Sequence, residues 1–286
     1  MNKVKIIIDS TADLTPEYIS ENDIEVVGLG VNFENEEFID GVNITTSELF
    51  AKVEKEKKLP KTSAASLPKL IDLFEKYVNQ GYDILYTGIS SKMSSSFNVA
   101  TLASQQFDEG RVVVYDSYNL STGIGLQVLE AVRLAKEGKS ALEIKEELEN
   151  IKLKVRSQFM VETLDYLHKG GRCSSVSYFF GKSFGIKPII RVKDGSMSVY
   201  KKAIGKPIKA LNILLDIFKK DLPNISLGTV MITSTYAPEH EKYLYEELSK
   251  IIDPKHIMIT HAGCVISSHC GPKTIGILYI LKENND

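Results

Sequence analysis

Two hydrophobic rhythms alternate along this chain. Short β-branched runs at residues 5–8, 84–86 and 112–115 each stop at small polar residues: Asp9-Ser10-Thr11, Thr87-Gly88 and Asp116-Ser117. Between and after them, apolar positions fall into helical spacing over residues 15–21, 46–57, 68–79, 96–106, 120–136 and 141–154. Strand-length runs bounded by turn residues and interleaved with amphipathic stretches predict parallel strands of an open α/β sheet. Residues 23–41 read as a strand and hairpin excursion from that pattern.

The pattern changes in the second half. Strand candidates at 157–162, 188–193, 197–203, 228–234, 256–261 and 274–281 come with only two helical stretches, 206–220 and 239–252. Asp194-Gly195-Ser196 sits between two of these strands as a hairpin signal. The expectation is a two-domain α/β protein. Residues 1–155 form a mainly parallel α/β/α sheet with a hydroxyl-rich crevice, and residues 156–286 an α/β sandwich around a largely antiparallel sheet.

Ligands of open α/β sheets sit outside the carboxyl ends of the strands. Here those ends carry hydroxyls: Ser90, Ser91, Ser94, Ser95 and Ser96 precede a helical stretch. Helix starts attract anions, though such a run equally serves as an N-cap. It is no phosphate loop, because neither G-x-x-x-x-G-K-[ST] nor G-x-G-x-x-G is present. Lys61-Thr62-Ser63-Ala64-Ala65-Ser66 is a second hydroxyl cluster, with helix capping by Ser66 as its ordinary use. Asp9-Ser10-Thr11-Ala12-Asp13 lacks the second aspartate two places on that an aspartyl-phosphate enzyme needs, so Asp9 reads as a capping or turn residue.

Gly170-Gly171 permits close backbone approach and presents Arg172, whose planar fork suits a carboxylate or phosphate. His269 reads as placed by a Ser-Ser-His-Cys-Gly-Pro loop, and His261 as structural at a strand end. These histidines with Cys264 and Cys270 lack zinc-ligand spacing, and no metal or cofactor is expected. Cys173, beside Arg172, reads as an inert thiol.

A net charge of −2 over 286 residues leaves no basic footprint for nucleic acid. No apolar run approaches the length of a membrane span, and the first residues are too short a run for a signal-peptide core. Three cysteines without a CxxC pair fit a reduced, cytoplasmic chain.

Several of these pieces together resemble the DegV family, bacterial fatty-acid-binding proteins that serve a fatty acid kinase. The matching segments are Asp9-Ser10-Thr11-Ala12-Asp13-Leu14, Lys61-Thr62-Ser63, Ile89 to Ser94, Asp116-Ser117, Thr163-Leu164 through Gly170-Gly171-Arg172, and Ser268 to Pro272. They come in family order and span nearly the whole chain. The resemblance implies a two-domain α/β fold with a buried acyl tunnel. It implies that Thr62 and Ser94 hold a fatty acid carboxylate, with Ser63 and Ser95 close by. Arg172 and His269 would stand near the head group, for phosphotransfer or partner contact. A separate ATP-dependent kinase subunit would phosphorylate the bound carboxylate, so the chain itself would be a carrier and not an enzyme.

The chain departs from the family pattern in three places. The stretch Lys202-Ala203-Ile204-Gly205-Lys206-Pro207 has no arginine, Ser95-Ser96 replaces small Gly-Thr pairs, and Cys270 replaces a common threonine. Phe159, Tyr178, Phe179, Phe180, Phe184 and Ile186 are candidate tunnel residues, with 178–184 resembling a short helix able to lie over an acyl chain. Two other readings stay open from the residues. One is a phosphoryl-transfer or hydrolytic enzyme built on Asp9, the serines and His269. The other is a small-carbonyl carrier like the substrate subunit of dihydroxyacetone kinases. A tight Ser-His-Asp contact would favour the enzyme, and a small closed pocket the carbonyl carrier.

Overall fold

A computed structural model describes residues 2–173, 185–226 and 228–284. The first half runs β1 (Val4–Asp9), α1 (Pro16–Glu21), β2 (Glu25–Val27), β3 (Gly30–Phe33), β4 (Glu36–Ile39), α2 (Thr46–Glu56) and β5 (Lys61–Ser63). It continues through α3 (Leu67–Asn79), β6 (Asp83–Gly88), α4 (Ser96–Ser104), β7 (Val112–Asp116), α5 (Thr122–Lys136) and α6 (Ala141–Ile151). The second half holds β8 (Val155–Met160), α7 (Asp165–Gly170), β9 (Ile186–Lys193), β10 (Ser196–Ile204), α8 (Pro207–Asp221) and β11 (Val230–Thr235). It ends with α9 (Pro238–Leu248), β12 (Ile257–His261), α10 (Cys264–Cys270) and β13 (Thr274–Ile280).

The strands make three sheets. Strands β2-β1-β6-β7 lie parallel, β4-β3-β5 are antiparallel, and β10-β9-β8-β13-β11-β12 form a mixed sheet whose β11–β12 pair alone is parallel. The fold is the mixed α/β architecture that the hydrophobic rhythms predict. In β1 the run Ile6-Ile7-Ile8 is buried throughout, as expected for a parallel strand covered on both faces. In the six-stranded sheet, by contrast, neighbours alternate between two cores. Phe159, Ile190, Met231 and Leu278 face the large core shared with the first half. Met160, Ile189, Ile232 and Ile277 face a second core under α8 and α9 with Leu211, Phe218 and Leu244.

Three elements differ from the pattern-based reading. Residues 61–63, read as a polar approach to a helix, form β5, held by β3 through the pairs Gly30↔Ser63 and Val31↔Thr62. Asp165–Gly170 is a short helix, α7. The Ser-Ser-His-Cys segment belongs to a helix, α10, and not to a loop. A helix buried on nearly all sides shows no amphipathic stripe, which is why its periodicity is silent. Ser66 does occupy the cap position of α3, but its side chain makes no capping bond. The candidate tunnel residues Tyr178, Phe179, Phe180 and Phe184 lie outside the described residues.

Candidate functional site

The site begins where β1 and β6 end side by side, between strands whose connections run to opposite flanks of the parallel sheet. Asp9 closes β1 and is fully buried. Its carboxylate accepts from the Thr11 amide and hydroxyl and, at 3.0 Å, from the amide of Ile89. This is the turn-capping role read from the sequence, and it also fastens the loop after β6 to the end of β1. Gly88 makes room for it, since a Cβ there would stand 2.1 Å from the Asp9 carboxylate. Burial pushes the Asp9 carboxyl up to about 6 against the pull of those donors.

The fastened loop carries the serine run. Ser90 is buried and donates to the Gly195 carbonyl of the β9–β10 turn at 2.8 Å, tying the two halves together. Ser94 accepts from the Ser96 amide at 3.2 Å and pairs with the Ser96 hydroxyl at 3.0 Å. Ser95 takes the N-cap position of α4 with no side-chain capping bond.

Facing this loop is α10. Its first amides are gripped by two buried carboxylates from the other half of the chain. Asp40 accepts from Cys264 N at 2.7 Å, Val265 N at 3.2 Å and the Ser10 hydroxyl at 3.0 Å. Asp13 accepts from Gly263 N at 2.9 Å and from the Ser121 hydroxyl. Carboxylates at a helix start satisfy orphan amides and complement the dipole. Burial nonetheless raises both carboxyls above their ordinary range. Neither residue was singled out as functional from sequence. Asp13 lies inside a matching motif, but Asp40 reaches a partner 224 residues away, and no local pattern announces that.

The clamp fixes His269 in the last turn of α10. Its Nε2 lies 2.9 Å from the Thr62 hydroxyl, while its Nδ1 is buried without a hydrogen-bond partner. The ring packs on Gly170, where a Cβ would stand 2.4 Å from Nδ1. Burial, reinforced by Arg172, lowers the His269 pKa to about 4, so the ring is neutral at neutral pH. An unpaired buried N–H costs more than an unpaired lone pair, and we assign the proton to Nε2 on that ground. Thr62 then accepts from His269 and keeps its own hydroxyl proton for a ligand. Arg172 is held at the rim, donating to the carbonyls of Gly170 at 2.6 Å and Met93 at 3.4 Å.

All six candidate residues, Thr62, Ser63, Ser94, Ser95, Arg172 and His269, line one cavity of about 620 Å³, counting the solvent at its mouth. Between the polar groups the wall is apolar, with Leu29, Ile89, Met93, Leu120 and Ile266, none of which sequence alone singled out. A second, apolar-walled cavity of about 310 Å³, again with its mouth, adjoins the first across Leu120, Ile266 and Cys270, and Phe159 and Leu278 line it.

Two chemistries find no support in this geometry. Among the described residues His269 contacts a threonine hydroxyl and no carboxylate, so no Ser-His-Asp relay is assembled there. Among the described residues no three His, Cys, Asp or Glu side chains gather as a metal site, and His261 instead pairs with Glu241 at an exposed edge. No helix of the described residues is long and apolar enough to cross a membrane.

Comparisons with known proteins bear on the family and the fold. The family whose profile matches residues 3–282 is described as "Uncharacterised protein, DegV family". A DegV domain-containing protein of Clostridium acetobutylicum is 38% identical over 284 residues, covering 99% of this chain and 100% of its own. A solved DegV family protein from Thermus thermophilus, described by its fatty acid binding, superposes with a TM-score of 0.90 at 29% identity. The match covers 98% of this chain and 100% of that one. A stearic acid-binding protein from Eubacterium ventriosum superposes with a TM-score of 0.86 at 28% identity, with 99% of each chain covered.

Proposed function

The chain belongs to the DegV family, and from that premise we propose that it binds one long-chain fatty acid and presents it to a separate ATP-dependent kinase. The carboxylate is held by the Thr62 and Ser94 hydroxyls, with Ser63 and Ser95 beside them and His269 behind Thr62. The tail passes Leu120 and Ile266 into the apolar cavity. The observation that carries this reading is the lining itself: neutral hydroxyls and apolar side chains face one cavity, and its Leu120, Ile266 and Cys270 also border a second, apolar-walled space.

Magnitudes divide the labour. A 16-carbon tail gains on the order of 12 kcal/mol gross at about 0.8 kcal/mol per buried methylene, before association costs. A net gain of about 1 kcal/mol per neutral hydrogen bond then sets orientation more than affinity. In the kinase step a carboxylate oxygen attacks the γ-phosphorus of ATP, and ADP leaves with the electron pair of the bridging oxygen. Arg172, tethered at the rim, is suited to the charge that builds on the transferring group.

Mass spectrometry of the purified protein, native and then after lipid extraction, tests the binding. One stoichiometric fatty acid per chain is the expected result. A bare mass that stays unchanged after incubation with palmitate or oleate would overturn it.

A further inference from the structure

Two glycines lock α7 and α10 together. Gly170 ends α7, and the His269 ring of α10 lies against it, so that a Cβ on Gly170 would stand 2.4 Å from Nδ1 and 3.3 Å from Cε1. Gly271 closes α10, and a Cβ there would stand 2.8 Å from the Tyr166 ring. Tyr166 and Gly170 are four residues apart and share one face of α7. Each helix thus rests a ring on the glycine that ends the other.

Gly170 and Gly171 are glycine for different reasons. Gly171 has φ 66° and open space around it, so only its backbone conformation calls for glycine. Gly170 lies within the helix and outside the left-handed region, where alanine is by propensity the better residue. What Gly170 lacks is room, and the atom that takes the room is a ring nitrogen. Nδ1 is buried and has no hydrogen-bond partner among the described residues, so an N–H there would be stranded. The Gly170 carbonyl meanwhile accepts from Arg172 at 2.6 Å. One glycine therefore serves both polar side chains beside the hydroxyls, His269 through its bare Cα and Arg172 through its carbonyl.

We propose that Gly170 is a positioning residue for head-group binding: its bare Cα against Nδ1 keeps the ring proton on Nε2, and the Nε2 proton in turn makes the Thr62 hydroxyl a donor to the ligand. The proposal rests on the fatty acid reading above and adds a reason for the polarity of the site. A ring with its proton on Nδ1 would accept from Thr62 and leave only lone pairs of that hydroxyl to face the cavity, which repel a carboxylate. An alanine methyl cannot share the space with Nδ1. Thr62 already stands at hydrogen-bond distance on the Nε2 side, so the ring has no slack there and must swing out of line.

The test compares wild type, Gly170→Ala, His269→Ala and the double variant Gly170→Ala/His269→Ala. Nitrogen NMR of the ligand-free proteins at neutral pH reads which ring nitrogen carries the proton, calorimetry reads palmitate affinity, and urea unfolding reads the packing. Wild type is expected to hold the proton on Nε2. Gly170→Ala should show a mixture of tautomers, bind palmitate at least tenfold more weakly and unfold at lower urea. In the His269→Ala background the same alanine should leave the urea midpoint unchanged or raise it, since the ring it would strike is gone and the helix favours it. If Gly170→Ala alone does not fold, recovery of the fold in the double variant carries the same assignment. A Gly170→Ala protein with the wild-type tautomer and wild-type affinity would overturn the role, as would an equal loss of stability in both backgrounds. Wild type that binds no palmitate, while its ring responds to Gly170→Ala as stated, would sink the fatty acid reading and leave the positioning of His269 standing.

Discussion

At the ends of the six-stranded sheet, hydroxyls are abundant and spoken for. Thr233 bonds to both Thr122 and Thr260, Ser234 donates to Glu241, and Thr235 donates to the Gly271 carbonyl. Around the hydroxyl-lined cavity the hydroxyls are less engaged. Among the described residues the Thr62 hydroxyl meets only His269, and Ser94 keeps its proton whenever Ser96 donates to it. Both regions would score alike in a count of serines and threonines. What separates a binding surface from a structural network is unspent hydrogen-bonding capacity facing a cavity, since a buried polar group satisfied by its neighbours has nothing left for a ligand.

The contrast depends on α10 being held in register, and the largest effect is expected at its clamp. Asp40→Ala leaves the Cys264 and Val265 amides and the Ser10 hydroxyl without their acceptor. Buried donors stranded in this way cost about 1–3 kcal/mol each before relaxation, so a loss of about 3 kcal/mol in urea unfolding is expected. Fatty acid affinity should fall with it, because His269 loses its anchor. Asp40→Asn keeps one acceptor and should cost less. A wild-type unfolding curve for Asp40→Ala would show that α10 needs no clamp.

The next effect separates the two hydroxyl sets directly. Thr62→Val removes a donor aimed at the ligand together with the acceptor of the His269 Nε2 proton, and should weaken palmitate binding about tenfold, or about 1.4 kcal/mol, at a cost of about 1 kcal/mol in unfolding. Thr260→Val cuts the satisfied network instead, at a buried hydroxyl bonded to Thr233 and away from both cavities. It should cost about 1 kcal/mol of stability and leave palmitate affinity within twofold. If the two variants exchange these signatures, the division between spare and satisfied hydroxyls is wrong.

Much of this was legible in the sequence, unevenly. Strand ends and helices of the first half follow from local apolar runs. Ser94 lies in the hydroxyl run after one of them and Thr62 in a second cluster before a helix, but their joint role came only from the family pattern. His269 stood out from its Ser-Ser-His-Cys-Gly-Pro surroundings, but its place near a head group was readable only as part of a family pattern. Its helix is buried nearly all round, so it carries no periodic signal, and the clamp that orients it comes from Asp13 and Asp40, more than 220 residues away. Strand β5 is similarly silent, being three residues long and strand-like only because β3 supplies partners. Such contacts are decided by tertiary packing, which local propensity does not encode.

The smallest effect concerns the proton on His269. The folded ring titrates at about 4 while an unfolded histidine titrates near 6.5, so between those values the unfolded chain takes a proton that the native state refuses. Stability contributed by this group therefore falls as pH drops from about 6.5 toward about 4. Asp9 bends the curve the other way. Its carboxyl, raised to about 6, holds a proton in the native state that the unfolded chain gives up, so its contribution falls as pH rises through the same region. A wild-type pH profile mixes these with the raised Asp13 and Asp40 carboxyls, and the difference from His269→Gln isolates the histidine. Urea unfolding of both proteins should show wild type losing about 1 kcal/mol relative to the variant on going from pH 6.5 to pH 5.5. A difference that is the same at both pH values would mean that His269 is not held neutral by its burial. The spare hydroxyl proton of Thr62 would then lose its physical basis.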